Sequence, residues 1–429
     1  MNEQAVAEAI EAALPAVALL EAFPPYAHPD SDLAIVSRLT DVGIQDEAAF
    51  RHLVATLASE PELTALEGKQ CAASLGFFIG PIHVESLAKS ILAQVLNGRN
   101  VFELLRSLSQ FLQRNSSEAL IIIAVSGIEV IERVELGGDV EIIPVHVLPP
   151  SIPRGVALGQ DPPGANANYA QNPYPMRTAL ACRVMVSPII VSEQEQKAAR
   201  DQHLIIYNEA LKHLSETMNC LALVDLLPIV ARIGWQHFAD PGAFFVGSSG
   251  WTIWDPQTLT QSRDLEINRP QTLCGAYFRI PQERRERVLR IPLDRLHRVL
   301  RQGSIVEKAI DLGIALEALL LHDIKSTEQL GFRLRLRGSL LLGGDIETRR
   351  QLMRSLSDIY ALRSTAVHQG RLEETEQNRV TLNEGLRICA KLLHLLIDRG
   401  GEVDFTTLEL GNPPDMERHI PPLPDDVGT

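Results

Sequence analysis

The chain has 429 residues, is 45% hydrophobic and 5% aromatic, and carries a formal net charge of −14. That length supports two or three domains with a sizeable core. The acidic balance excludes a protein that coats nucleic acid along its whole surface. The charge is uneven, however: residues 279–370 sum to about +6, against about −14 before them and about −6 after. The positive stretch reads either as a face for a phosphate backbone or as a solvated Arg-rich helix surface. Five cysteines (Cys71, Cys182, Cys220, Cys274, Cys389) stand far apart with no CxxC pair. That pattern fits a reduced compartment and argues against a zinc site or a disulfide framework. The acidic start Met1-Asn2-Glu3-Gln4 lacks the basic-then-apolar order of a signal peptide. The most apolar run, Cys220 to Trp235, is interrupted by Asp225, Pro228 and Arg232. A cytoplasmic protein with no membrane partner, metal or cofactor is expected.

Taken in order, residues 2–22 predict a helix that Pro15 kinks or breaks. Helical patterns follow at about 31–58, 84–97 and 101–114, the last with Leu104, Leu105, Leu108, Phe111 and Leu112 at a 3.6 period. Ala119 to Val125 is a β-branched run and predicts a buried strand. Glu129–Leu136 and Val140–Val145 around Gly137-Gly138-Asp139 predict a hairpin. Residues 148–178, with seven prolines, predict a long loop. A strand over Ala179–Val191 and a helix over Glu193–Met218 come next. Cys220–His237 predicts a buried helix containing Pro228. Phe244–Trp254 predicts a strand and turn whose Trp251 and Trp254 serve either as a stacking platform or, more simply, as packing.

From Arg279 the pattern turns basic and helical. Pro292 opens a helix over Leu293–Leu300 that Gly303 ends. Ser304-Ile305-Val306-Glu307 is a capping box for a helix to about Leu321. That helix is apolar almost all round and therefore buried on several sides. Glu317 shares a face with Ile310, Ile314 and Leu321, so its carboxylate needs a cation or a hydrogen-bond donor. A second helix runs from after Ser326 to Gly343-Gly344, carrying Arg333, Arg335 and Arg337. A third runs from Asp345 to His368 and stops at Gly370. A fourth opens on a second capping box, Thr381-Leu382-Asn383-Glu384, and reaches Asp398. The tail from Gly411, rich in proline, predicts irregular chain. The expected fold class is α+β, mostly α: an α/β N-terminal region with a small sheet, then an up-and-down helical bundle. The expected divisions are 1–115 (helical), 116–291 (mixed α/β with the Pro-rich loop), 292–400 (bundle) and 401–429 (tail).

The third helix closes on Arg363-Ser364-Thr365-Ala366-Val367-His368. Arg–x4–His arises by chance about once in a chain with 33 Arg and 12 His, and Arg232…His237 is a second instance. Context separates the two. Ala309 to Leu319, Leu334 to Gly343 and Tyr360 to His368, in that order and at those separations, with Glu328 between the first two, resemble the HEPN superfamily, most closely its Apea-like domains. The resemblance covers about Leu293 to Leu396. It departs from the family at Gln369, which separates His368 from Gly370 where many relatives read His-Gly, and at Ser364, where Asn, Asp or His is common.

The resemblance implies a bundle that pairs as a homodimer and cuts RNA without a metal, in phage defence or a toxin-like response. Arg363 and His368 would carry the chemistry, supported by Glu317, Arg335, Ser364 and Tyr360. Positions five apart on a helix differ by about 140°, so the pair cannot converge on one face, and a site shared across a twofold axis resolves this. The N-terminal region would take an unknown trigger. Two alternatives stand beside it: a non-catalytic HEPN dimer that binds a nucleotide, RNA or a protein, and a purely structural role in which Arg363 pairs with Glu317 and His368 complements the helix dipole.

Overall fold

The computed structural model describes residues 1–19, 42–160, 175–246, 249–252, 263–266, 268–324 and 329–411. The first part of the predicted helix at 31–58, Trp254, Glu328 and the tail beyond Gly411 lie outside them, as does much of the Pro-rich stretch. The chain is α+β and mostly helical, with several small sheets followed by a helical C-terminal region. It divides into two compact units that interleave along the sequence: unit 1 takes residues 1–133, 139–214 and 231–255, and unit 2 takes 134–138, 215–230 and 256–429.

Unit 1 opens with α1 (Glu3–Ala13), capped by the Asn2 side chain, which accepts from the Ala5 N–H. The helix does not reach residue 22. The chain breaks at Pro15 in a 3-10 turn and leaves as β1 (Val17–Leu19), which pairs antiparallel with β2 (Val42–Ile44). Then come α2 (Glu47–Ser59) and the short strands β3 (Gln70–Ser74) and β4 (Phe77–Ile79), followed by α3 (Val84–Leu96) and α4 (Val101–Arg114). Helix α4 buries the predicted Leu104, Leu105, Leu108 and Phe111. The expected buried strand is β5 (Ser117–Ser126), whose Ile121, Ile122 and Ile123 are all inaccessible, as befits a strand covered on both faces.

After β5 come β6 (Val140–Pro144), the short helix α5 (Ile152–Ala157), β7 (Thr178–Val186) and β8 (Ile190–Val191). Helix α5 corrects the expected featureless loop: Ser151 caps it and Pro153 sits in its first turn, where a missing N–H costs nothing. The hairpin turn falls at Gly138-Asp139, both with φ of +60°, the signature of a type I′ turn. Its first strand is shorter than expected, Val134–Gly137.

Helix α6 (Gln196–Asp225) runs past Met218, and β9 (Val230–Phe238) and β10 (Ser249–Thr252) follow. The stretch Cys220–His237 is therefore a helix end and a strand, not one helix. Leu226, at φ +51°, and Pro228 force the break, and the β-branched run after it takes the sheet. Within unit 1 the main sheet has the order β10-β9-β5-β7-β6, with Ile121 opposite Cys182 and Val140 opposite the same Cys182. One side of it is a core of Ile122, Ile143, Ala179, Ile233 and Trp235. Gln236, 1% exposed, donates to the Ala73 carbonyl (2.9 Å) and accepts from the Leu75 N–H (2.8 Å), so its burial is satisfied.

Unit 2 contains the last turns of α6 and the helices α7 (Asn268–Arg279), α8 (Arg290–Arg301), α9 (Ile305–Leu320) and α10 (Leu330–Leu342). It continues with α11 (Ile346–Gln369), α12 (Glu376–Asp398) and α13 (Phe405–Glu409). A π-helical turn, Arg285–Leu289, leads into α8, so Pro292 lies inside a continuous helical run and does not open one. Ser304 caps α9, as its capping box indicates, and Asp345, at the expected start of the third helix, caps α11. Helix α12 starts earlier than Thr381: its cap is Thr375, whose hydroxyl accepts from the Asn378 N–H at 3.2 Å. Helices α8 and α9 pack closely and are joined by three residues, as are α10 and α11; connections that short between packed helices make αα-hairpins. Helix α9 touches α8, α10, α11 and α12, which accounts for its lack of a polar face. Among the described residues, no helix is long and apolar enough to cross a membrane.

Two buried histidines set an acid limit on unit 2. His297 lies with Nδ1 2.7 Å from the Asn219 side-chain amide and Nε2 2.8 Å from the Ile229 carbonyl, and its burial lowers its pKa. Burial pulls His394 down to about 4 against the help of the Leu223 carbonyl. Both are held neutral when folded and take up a proton more readily when unfolded. Their stabilisation is therefore complete above pH ~6.5 and lost as pH falls below it, for His394 as pH nears about 4. For His394 alone the loss amounts to roughly 3 kcal/mol. The unfolding midpoint should fall steeply across that window, and His394→Gln should flatten the profile.

Candidate functional site

The site is assembled on α9 and α11, with α10 beside them. Helix α9 buries Ala309, Leu312, Gly313, Leu316 and Leu319, while Ile310, Ile314 and Glu317 occupy its half-buried edge. Gly313 and Glu317 are four residues apart and so lie one above the other on the same side of the helix. Across from them α11 presents Arg363. Its aliphatic stem crosses Gly313, where an added Cβ would fall 2.3 Å from Arg363 Cγ. Its head reaches Glu317, with Nη2 3.1 Å from Oε2. The two side chains are 25% and 26% exposed, so the pair is shielded but open on one side. Arg363 Nε is buried with no hydrogen-bond partner among the described residues.

Tyr360, one turn earlier on α11, places its ring 5.9 Å from the Arg363 guanidinium carbon, at the outer range of a cation–π contact. The ring lies over Gly331 of α10, where a Cβ would come within 3.3 Å of Tyr360 Cε1. Arg335 meets the same glycine from its own helix: Nε donates to the Gly331 carbonyl (3.0 Å), and Nη1 donates to Ser357 Oγ on α11 (3.2 Å). Among the described residues no carboxylate pairs with Arg335. Ser364 is half-buried beside Arg363.

His368 is elsewhere. It lies in the last turn of α11, exposed, just before Gly370 ends the helix at φ +65° with its N–H on the Ala366 carbonyl. Five residues on a helix amount to about 7.5 Å along the axis and about 140° around it. Within one chain, Arg363 is turned toward α9 and His368 toward solvent. The structure thus gathers Arg363, Glu317 and Tyr360, sets Arg335 beside Tyr360, and leaves His368 apart. The second Arg–x4–His behaves differently: Arg232 and His237 lie on β9, where odd spacing sends them to opposite faces of the sheet.

Several residues here were not singled out from sequence. Gly313, Gly331 and Ser357 shape the site, and only a glycine inside an otherwise apolar helical run could have hinted at the first two. Arg337, grouped with Arg335 by sequence, has another task. Only 3% exposed, it donates to Asp323 (2.6 and 3.2 Å), to Glu409 (2.6 Å) and to the Leu320 carbonyl (2.8 Å), and it lies 4.2 Å over the Phe405 ring. Arg285, likewise buried, donates to Glu216 (2.9 Å) between Tyr277 and Phe278. Among the described residues no group of three or more His, Cys, Asp or Glu side chains could hold a metal ion. No family model, curated protein or solved structure matches the chain.

Proposed function

We propose that this protein is a metal-independent endoribonuclease of the HEPN type, with an Apea-like bundle that works as a homodimer. What carries the reading is the division of labour along the end of α11: an arginine held from behind by Glu317, and an exposed histidine one and a half turns later. One chain cannot bring both onto a single phosphate, whereas two chains related by a twofold axis can each lend a pair to one cleft. There neutral His368 takes the proton of a ribose 2′-OH, and O2′ bonds to phosphorus. The P–O5′ bond breaks, and the 5′ oxygen receives a proton from the other protomer's imidazolium. Arg363 supplies fixed positive charge to the phosphorane. The products are a 2′,3′-cyclic phosphate and a 5′-hydroxyl, and DNA, lacking the attacking group, is spared. Arg335 and Tyr360 flank this chemistry as a phosphate contact and a stacking face, and Ser364 lines it. We place the activity in the cytoplasm, in phage defence or a toxin-like stress response, with a trigger acting on the N-terminal region.

A second reading rests on Glu317 itself. A carboxylate that already neutralises Arg363 suits a non-catalytic HEPN dimer that binds RNA, a nucleotide or a protein in the same cleft. One assay separates the two: the full chain with labelled single-stranded RNA in EDTA, wild type against Arg363→Ala and His368→Ala. Cleavage to a cyclic phosphate that disappears in both variants is the expected result. Cleavage that survives in both overturns the assignment, and RNA binding without cleavage by the wild type moves it to the second reading. A protein that cuts as a strict monomer removes the shared cleft.

A further inference from the structure

We propose that Gly313 is a positioning residue for Arg363: the missing side chain on α9 is the slot that aims the guanidinium. The argument begins with cost. Gly313 sits in the middle of a 16-residue helix, buried, where alanine would be the better helix former. Its conformation gives no reason for glycine, since it lies in a regular α-helix. The reason lies across the interface. The three atoms nearest to a Cβ built at Gly313 all belong to Arg363: Cγ at 2.3 Å, Cβ at 3.0 Å and Cδ at 3.3 Å. Cγ and Cβ are the root of the side chain, not its flexible end, so a methyl group at residue 313 cannot be accommodated by swinging the guanidinium aside. It must turn the whole stem to another rotamer or part the helices.

The slot also fixes direction. With the stem pressed along Gly313, the head arrives at Glu317, one turn further along the same side of α9, at 3.1 Å. Backbone shape and carboxylate therefore act in series on one cation, the first on its root and the second on its tip. Gly331 does the same for Tyr360 from α10, more loosely, at 3.3 Å. The catalytic consequence rests on the ribonuclease reading above; the slot itself does not.

The test is a thermodynamic cycle in the full chain: wild type, Gly313→Ala, Arg363→Ala and the double variant, each followed by thermal unfolding. Gly313→Ala should lower the midpoint when Arg363 is present. With Arg363→Ala only the Cβ contact at 3.0 Å remains, so the same change should cost less than half as much or become stabilising. An equal loss in both backgrounds overturns the slot. RNA cleavage by the same proteins reads the second half. Gly313→Ala should lower kcat by about 10²-fold with little change in KM, the signature of a misplaced rather than a missing group. Wild-type kcat in Gly313→Ala, despite a lowered midpoint, makes the glycine a packing residue only and overturns the positioning role. If the wild type cuts no RNA, the function proposed above fails while the unfolding cycle still decides the slot.

Discussion

His368→Ala is expected to lower RNA cleavage by about 10²–10⁴-fold, the usual worth of a positioned general acid or base, while leaving the unfolding midpoint within a degree or two of wild type. The two halves of that expectation come from the same fact. His368 is exposed in the last turn of α11, so removing its imidazole opens no cavity and strands no buried partner, and surface changes of this kind shift stability by about 0.5 kcal/mol or less. Arg363→Ala should match it in activity but not in stability, because it leaves the Glu317 carboxylate, 26% exposed, without its cation. A comparison of the two variants by cleavage rate and melting curve checks this. A His368 variant that melts early, or an Arg363 variant that cuts normally, contradicts it.

Arg337→Ala should destabilise the helical region by about 3 kcal/mol. The guanidinium is 3% exposed and serves four acceptor atoms on three residues and one aromatic face. Breaking a buried ion pair from one side costs about 3–5 kcal/mol. The lower end applies because Asp323 and Glu409 are 42% and 27% exposed and regain water. Arg337→Lys should recover little, since a point charge cannot serve Asp323, Glu409 and the Phe405 face together. Two of its contacts belong to α13, so protection of the amides of Phe405–Glu409 from hydrogen exchange should be lost first. Loss of RNA cleavage at a temperature where Arg337→Ala remains folded would count against this purely architectural role.

Much of the helical region was legible because its signals are local. Ser304 and Asp345 announce helix starts through their own side chains, and Gly370 announces an end by a positive φ that few other residues adopt. The missed boundaries have local causes as well. Thr381-Leu382-Asn383-Glu384 reads as a cap, yet Thr375 also caps, and continuing the helix back to Glu376 satisfies more backbone groups. Cys220–His237 has no strong period, so Pro228 could be read as a kink when it marks the passage from helix to strand. At the site, the need of the half-buried Glu317 for a cation pointed to Arg363, and the two do meet, 46 residues apart in sequence. A glycine's role could not be read before knowing what lies opposite it. Arg335 and Arg337 look alike in sequence, and only the neighbours of each tell a cation with no carboxylate partner among the described residues from a structural knot.

The interleaving of the two units bears on how this chain can be divided. Glu216 and Asn219, in the last turns of α6, are the partners of Arg285 and His297, and residues 215–230 belong to the same compact unit as the helices from α7 onward. A fragment starting at residue 292 would keep the buried His297 without Asn219 or the Ile229 carbonyl, and one starting at 256 would keep Arg285 without its carboxylate. The bundle is therefore not a cassette that could be moved between proteins by a single cut in the gene. A fragment that keeps these buried partners together must begin no later than residue 215.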